Sequence, residues 1–350
     1  MSSIDPYLNP NFSKKNLNTL DIPDLFQQIK VGNTAALSQG ITLLESELPA
    51  HKSKANELLK LCLPISGNSI RIGITGIPGA GKSTFIEALG GKILEDSNSI
   101  NNKNKIAILA IDPSSSLSKG SILGDKTRME EISKHSEVFI RPSPTSGNLG
   151  GVARATKESM ILCEAAGFNI IIIETVGVGQ SEIELHYLTD IFLLLLIPGA
   201  GDELQGIKRG IMEMADLILV NKSEGENIHA ANRSVKQLEN AIHYLNTNKY
   251  GRSSEVNSIS ALENIGIIDT WNWIYKQLEL WKSNQSFQEK RKDQAVYWFD
   301  QSLHNGLRNI IHQRPDWQKK YLHLKNEIEL GSLHPFIAAD DLLNQIIRDN

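Results

Sequence analysis

The sequence predicts an α/β fold, with a mostly parallel central sheet covered by helices on both faces. Short, almost continuously apolar segments are typical of strands that are buried on both faces. Segments with apolar residues at helical spacing alternate with them, as in a parallel sheet. The predicted strands are 71–75, 106–112, 137–142, 169–174, 191–198, 217–221 and 256–260. The predicted helices between and after them are 82–94, 151–166, 203–214, 228–245 and 265–282.

Helical extensions are expected on both sides of this sheet. Apolar residues recur at helical spacing from about residue 22 to residue 63, after a polar start of the chain. Residues 284–294 open another helical region, which is interrupted near "GSLHPF". We therefore predict an N-terminal tail and helical extension over 1–66, an α/β domain over 67–284 and a C-terminal helical region over 285–350.

Composition and charge argue against several classes of protein. The net charge of −4 disfavours a nucleic-acid partner, which usually requires a basic excess. The longest aliphatic run, 191–198, is too short to span a bilayer, and the first residues lack the apolar stretch of a secretory signal. A cytoplasmic protein without a membrane partner is the expectation. Cys62 and Cys163 lie in apolar helical patterns and are expected to be buried free thiols.

A phosphate-binding loop follows the first predicted strand. The segment "GIPGAGKS", Gly76–Ser83, fits the pattern G-x-x-x-x-G-K-[ST] and opens a predicted helix, which is the context this motif requires. Glycines let backbone N–H groups surround phosphate oxygens, and the helix N-terminus favours negative charge. Lysine reaches the β- and γ-phosphates, while serine binds Mg²⁺. The motif predicts a P-loop NTPase whose loop residues are Gly76, Pro78, Gly79, Ala80, Gly81, Lys82, Ser83 and Thr84.

Two acidic residues end predicted strands on the same side of the sheet. Asp112 closes the second strand and Glu174 the fourth. Ligands in open α/β sheets bind beyond the carboxyl ends of the strands, and Mg²⁺ prefers oxygen ligands. These acids are candidate Mg²⁺ ligands, and Gly177 would then offer a backbone N–H to the γ-phosphate. Each acid could also be a plain strand end that reaches water.

A base-recognition motif follows the sixth predicted strand. "NKSE", Asn221–Glu224, resembles the N-K-x-D motif that reads guanine, in which a carboxylate accepts from the ring N1–H and the 2-amino group. Asn221 and Lys222 would shape the pocket and cover the ring. Glu224 replaces aspartate, so guanine specificity is expected with a carboxylate displaced by one methylene. "SAL", Ser260, Ala261 and Leu262, fits the loop that backs the base.

Six longer segments carry a family resemblance. They are "GITGIPGAGKSTFIEALG", "AIDPSSS", "GSILGDKTRM", "IRPSPTSGNLGGVARATKES", "IIIIETVGVGQSE" and "LLLLIPGAGDELQGIKRGIMEMADLILVNK". The sequence resembles the GTPases associated with methylmalonyl-CoA mutase, the MeaB/ArgK type, from about residue 22 onward. The resemblance implies a chaperone of adenosylcobalamin-dependent acyl-CoA mutases that gates cofactor loading and helps to replace damaged cofactor. It also implies a homodimer formed by the C-terminal helices.

The resemblance also assigns residues. It implies switch segments at 112–125, at 174–180 and at 201–208, the last of which would contact the mutase. The implied Mg²⁺ site contains Ser83, Asp112, Asp125 and Glu174. The implied catalytic residues are Lys82, Asp125, Glu174 and Lys208. Lys119 departs from the pattern, because we expect glycine at that point of the first switch.

Several alternatives remain open from the sequence. A nickel-insertion GTPase would be expected to carry a His- or Cys-rich segment, which this chain lacks. A kinase of a transport-linked binding protein would need adenine preference, which "NKSE" disfavours. A scaffold that binds nucleotide without hydrolysing it is the third alternative. No water-orienting residue is evident, because Gln180 lies three residues beyond Gly177. The arginines at 141, 154 and 209 are either charge stabilisers or ion-pair residues.

Overall fold

The computed structural model describes residues 17–46, 48–97, 103–112, 129–144, 149–175, 181–199, 209–243 and 250–348. Within these ranges the chain forms a seven-stranded sheet in which all pairs of neighbouring strands are parallel. The strands are β1 Ile70–Gly76, β2 Ile106–Asp112, β3 Val138–Pro144, β4 Ile170–Thr175, β5 Ile191–Leu196, β6 Leu217–Val220 and β7 Glu255–Ser258. This is the predicted α/β fold of a P-loop NTPase with helical extensions.

The strand order places β1 at the centre of the sheet. The order is β3-β2-β4-β1-β5-β6-β7, so the chain crosses β1 when it passes from β4 to β5. Ile74 of β1 is in register with Glu174 of β4 on one side and with Leu193 of β5 on the other. A change of direction in strand order opens a crevice at the carboxyl ends of the strands, which is where ligands bind in such sheets. The predicted phosphate-binding loop follows β1 and begins at this crevice.

The helices cover both faces of the sheet and extend the chain beyond it. They are α1 Ile22–Lys30, α2 Thr34–Leu44, α3 Pro49–Cys62, α4 Lys82–Ser97, α5 Leu149–Ala165, α6 Ser181–Leu188, α7 Arg209–Met214, α8 Ile228–His243, α9 Ile267–Ser283, α10 Ser286–Gln313, α11 Pro315–Glu329 and α12 Pro335–Arg348. No helix in the described ranges is both long enough and apolar enough to cross a membrane.

The N-terminal helices are held by caps and by close packing on the sheet domain. Asp21 accepts a hydrogen bond from the Asp24 backbone N–H, and Asn33 accepts two from the first turn of α2. Gly40 of α2 meets α5 closely, because a β-carbon there would lie 2.8 Å from Cδ2 of Leu162. The predicted N-terminal helical extension is therefore packed against the α/β core rather than separate from it.

One helix was not predicted from the sequence. α6, with the sequence SEIELHYL, joins β4 to β5. Its buried positions include Glu182 together with Leu185 and Leu188, so the side that faces the core does not read as an apolar stripe. The other predicted strands and helices are confirmed with shifts of a few residues at their ends. The predicted helix at 203–214 is described only from Arg209.

The chain divides into two compact units, Met1–Arg291 and Lys292–Asn350. The second unit contains most of α10 together with α11 and α12. Trp317 of α11 is buried there, and the guanidinium of Arg314 lies 3.8 Å from the centre of its ring. Lys320 also donates to Oε1 of Gln345, which links α11 to α12. The three-region division at residues 66 and 284 stays a prediction.

Candidate nucleotide site

The loop between β1 and α4 has the backbone that a phosphate cradle requires. Gly79 and Gly81 adopt φ values of +79° and +83°, which residues with a β-carbon rarely adopt. A β-carbon on Gly76 would lie 2.2 Å from the Leu195 carbonyl oxygen, and one on Gly81 would lie 2.7 Å from Nδ2 of Asn221. Ala80 is fully buried beneath the loop. Glycine is therefore the residue that fits at both 76 and 81.

Lys82, the first residue of α4, turns its ammonium back onto this loop. The side chain is 8% exposed, and Nζ donates to the carbonyl oxygens of Gly76 at 2.8 Å and of Ile77 at 3.2 Å. Burial lowers the pKa of Lys82, and the nearby carboxylates of Glu174 and Glu182 oppose that shift. A buried ammonium at the carboxyl end of β1 is a ready partner for a phosphate anion.

Ser83 and Glu174 come together beside Lys82. Oγ of Ser83 donates to Oε1 of Glu174 at 3.4 Å, and Glu174 is half-buried at the end of β4. Hydroxyl and carboxylate oxygens are the ligand types that Mg²⁺ takes, so the pair fits that ion. Asp112 is the last residue of β2, but its side chain lies outside the described residues. Asp125, Gly177, Gln180 and Lys208 also lie outside them.

Asn221 ties the phosphate loop to the predicted base loop. Its side chain is 2% exposed, and Nδ2 donates to the carbonyl oxygen of Ala80 at 2.8 Å. Oδ1 of Asn221 accepts from the backbone N–H of Ala261 at 3.0 Å. One amide group thereby spans segments 40 and 141 residues away along the chain. The first residue of "NKSE" therefore acts as a bridge between two parts of the site.

Glu224, in the rest of the base motif, has a carboxylate oxygen that could accept hydrogen bonds from a base. Oε2 of Glu224 is buried, and no described residue gives it a hydrogen bond. Such an atom is costly unless a ligand satisfies it, and the N1–H and 2-amino groups of guanine would do so. Lys222 is exposed and adopts φ of +61°. Thr84 is exposed at the start of α4.

The predicted base loop is anchored through its backbone and through one serine. Ser260 is fully buried, and its Oγ accepts from the N–H of Glu263 at 3.0 Å. The Ser260 backbone also exchanges two hydrogen bonds with Ile265, at 3.0 Å each. Leu262 is 73% exposed beside this turn. The loop is thus rigid at its root, with an apolar side chain in solvent.

Two of the three candidate arginines have ion-pair partners. Arg141 pairs with Glu45 at 2.5 Å, and Arg154 pairs with Glu158 at 2.7 Å. These contacts match the ion-pair alternative. The side chain of Arg209 is outside the described residues. Glu182 was not predicted as a buried residue near Lys82, because a carboxylate in a short helix carries no sequence pattern that marks it as buried.

The chain matches known GTPases over most of its length. A family model described as "Methylmalonyl Co-A mutase-associated GTPase MeaB" matches residues 37–316. A probable GTPase of Mycobacterium tuberculosis is 42% identical over 322 residues, which cover 92% of this chain and 94% of that protein. GTPase ArgK of Escherichia coli is 39% identical over 319 residues, which cover 91% and 95%.

A mouse protein and a solved structure extend these similarities. The mouse protein named methylmalonic aciduria type A homolog, mitochondrial, is 39% identical over 329 residues, which cover 91% of this chain and 78% of that protein. A crystal structure titled as the LAO/AO transport system kinase has 32% identity and a TM-score of 0.74. It covers 93% of this chain and 97% of that one.

These relatives are named as GTPases, and the phosphate loop has the geometry that their activity requires. The protein is therefore a GTPase that binds guanine nucleotide and hydrolyses a nucleoside triphosphate. With the match spanning 37–316, the chain belongs to the family of methylmalonyl-CoA mutase-associated GTPases, MeaB.

Proposed function

We propose that this GTPase is a chaperone of an adenosylcobalamin-dependent acyl-CoA mutase, with methylmalonyl-CoA mutase as the default partner. GTP binding and hydrolysis would gate the loading of the cofactor and the reactivation of the mutase. The observation that carries the proposal is the match of residues 37–316 to a family described by its association with that mutase. The name of the mouse relative, which refers to methylmalonic aciduria, supports it.

The protein would hold GTP and GDP through two sets of residues. Those for the phosphates are Gly76, Pro78, Gly79, Ala80, Gly81, Lys82, Ser83, Thr84 and Gly177. Those for the guanine base are Asn221, Lys222, Glu224, Ser260, Ala261 and Leu262. The positive φ values of the loop glycines and the available Oε2 of Glu224 support this division. Lys82 would leave the Gly76 and Ile77 carbonyls to bind the β- and γ-phosphates.

Ser83, Asp112, Asp125 and Glu174 would hold Mg²⁺, which neutralises charge on the phosphate oxygens when bound. The contact between Ser83 and Glu174 supports such a site. Lys82, Asp125, Glu174 and Lys208 are the proposed catalytic residues. Their work is to position the triphosphate and to balance its charge, since phosphoryl transfer depends on these effects more than on covalent chemistry.

The protein would act as a homodimer through its C-terminal helices. Four apolar side chains of α10, each at least half exposed, repeat at intervals of three and four residues and form one stripe. They are Val296, Phe299, Leu303 and Leu307. A second copy would cover this stripe. Phe299→Asp should convert dimer to monomer in light scattering, whereas Asp300→Asn, next to it on the helix, should not.

The decisive experiment measures GTP turnover with and without a cobalamin-dependent acyl-CoA mutase from the same source. Acceleration of turnover by the mutase supports the proposal, because a partner that orders the switch segments aligns the reacting groups. Turnover that ignores every such mutase contradicts it. Lys82→Ala is the control, and mutase protection that survives it would favour a scaffold whose action needs no GTP hydrolysis. Transfer of the γ-phosphate to a binding protein rather than to water would favour the kinase.

A further inference from the structure

Glu182 is a buried carboxylate that the roles above leave unused. It is the second residue of α6, and 1% of its surface is exposed. It also ends the segment "IIIIETVGVGQSE", of which the nucleotide site uses Glu174 and Gly177. Burying a carboxylate is unfavourable unless a charge or a hydrogen bond compensates it. A carboxylate in this position therefore requires a compensating interaction.

The packing of α6 on β1 places Glu182 toward the nucleotide site. A β-carbon on Gly73 of β1 would lie 2.8 Å from Oγ1 of Thr189 and 3.0 Å from Cγ of Leu185. Asp190, further along, donates its backbone N–H to the Arg71 carbonyl at 2.8 Å. Later residues of this segment thus face earlier residues of β1, so the two run in opposite directions.

Glu182 and Leu185 are three residues apart on one face of α6, and Thr189 follows the last residue of that helix. Glu182 precedes Leu185 by about one turn, or roughly 4.5 Å. It therefore lies toward the carboxyl end of β1, where Gly76 accepts from Nζ of Lys82. Among the described residues, the carboxylates of Glu182 and Glu174 both oppose the effect of burial on the pKa of Lys82.

The two carboxylates have different surroundings. Glu174 contacts Ser83 and belongs to the proposed Mg²⁺ site, so its charge would be shared with the metal. Glu182 has no place in that site. Its carboxylate belongs to α6 and would not be shared with the metal.

We propose that Glu182 is a counter-charge that competes with the phosphates of GTP and GDP for Lys82, and so limits how tightly the protein holds nucleotide. With the site empty, the carboxylate stabilises the buried ammonium. With nucleotide bound, the same carboxylate repels the phosphate anion and weakens the hold of Lys82 on it. The protein gains a means of releasing GDP. This inference rests on the proposed role of Lys82 in phosphate binding.

The test is the affinity of the full-length protein for fluorescent GDP and for a non-hydrolysable GTP analogue. Glu182→Gln keeps the shape and removes the charge, so both nucleotides should bind roughly tenfold more tightly, with slower GDP release. Glu184→Gln is the matched control, because Glu184 lies two residues further along the same helix and does not share the face of Glu182. Glu184→Gln should bind both nucleotides with the affinity of the wild type.

Unchanged or weaker binding by folded Glu182→Gln overturns the proposal, since a purely structural role predicts weaker binding and never tighter binding. If that variant does not fold, Glu182→Asp carries the test. The shorter aspartate side chain would move the carboxylate away from Lys82, so nucleotide binding should tighten by a smaller factor. No tightening of binding would overturn the proposal. Lys82→Ala tests the proposed phosphate site separately from the role of Glu182. If it binds nucleotide like the wild type, the proposed phosphate site itself is wrong.

Discussion

Asp190 and Arg291 form a two-point ion pair at the amino end of the sheet, opposite the candidate nucleotide site. Nε of Arg291 donates to Oδ1 of Asp190 and Nη2 donates to Oδ2, each at 2.8 Å. Asp190 is 1% exposed, and its Oδ2 also accepts from the Arg71 backbone N–H at 2.9 Å. Arg291 donates further to the carbonyls of Gly67 and Ser69. This pair fastens the start of α10 to β1 and β5.

Asp190→Asn should destabilise the protein strongly. The change leaves the partly buried Arg291 without its direct ion-pair partner, and breaking one partner of a buried pair costs about 3–5 kcal/mol. Denaturant unfolding measures the change in the free energy of unfolding. Glu279→Gln, which removes an exposed pair with Lys282 on α9, should leave that free energy unchanged within error. Equal effects of the two substitutions would contradict the assigned role of Asp190.

Gly81→Ala should abolish nucleotide binding. The new methyl group would lie 2.7 Å from Nδ2 of Asn221 at a φ of +83°, so the loop must change shape. Calorimetric titration with GDP measures the loss. Gly91→Ala is the matched control, because Gly91 lies inside α4 with no atom within 4 Å of an added β-carbon. It should bind normally and gain about 0.5–1 kcal/mol of stability from helix propensity.

Asn221→Ala should lower nucleotide affinity by breaking the bridge between the phosphate loop and the base loop. It removes both hydrogen bonds that join Ala80 to Ala261 and leaves a buried N–H and a buried carbonyl unpaired. We expect binding of GDP to weaken by roughly ten- to a hundredfold. The hydroxyl of Ser223 contributes to neither bond, so Ser223→Ala should bind nearly as the wild type does. Normal binding by Asn221→Ala would mean that the bridge does not organise the site.

Glu224→Gln should change which base the protein prefers. The Glu224 carboxylate would accept from the 2-amino group of guanine, whereas an amide would donate to the 2-oxo group of xanthine. Competition binding with GDP and with xanthosine diphosphate measures both affinities. Affinity for GDP should fall while affinity for the xanthine nucleotide rises. Equal losses for both nucleotides would count against base reading by Glu224.

Cys62 and Cys163 should not react with thiol reagents in the folded protein. Both thiols are free and buried, and burial raises the pKa of Cys62 to about 11 and that of Cys163 still further. The thiolate is the reactive form, so at pH 8 both groups are protonated as well as shielded. A chromogenic disulfide should label neither cysteine in native protein and both in denaturant. Rapid labelling under native conditions would contradict the observed packing.

Local patterns in the sequence determined the class of the fold and the chemistry of its site. The apolar runs predict the parallel strands because both faces of such strands are buried, and "GIPGAGKS" predicts the phosphate loop because its glycines meet conformational needs that are local. "NKSE" predicts guanine binding from the chemistry of one carboxylate. These inferences need no knowledge of which segments become neighbours.

Contacts between distant segments were decided only by the tertiary structure. The sequence places Asn221 in a base motif. Its bonds to Ala80 and Ala261 exist because β1, β5, β6 and β7 follow one another in the sheet, so the loops after β1, β6 and β7 meet at one edge. Glu182 looks like a surface residue of a polar helix until α6 packs on β1. Asp190 and Arg291 are 101 residues apart along the chain, and no periodic pattern connects them. Burial and pairing of charges depend on three-dimensional neighbours, which spacing along the chain does not encode.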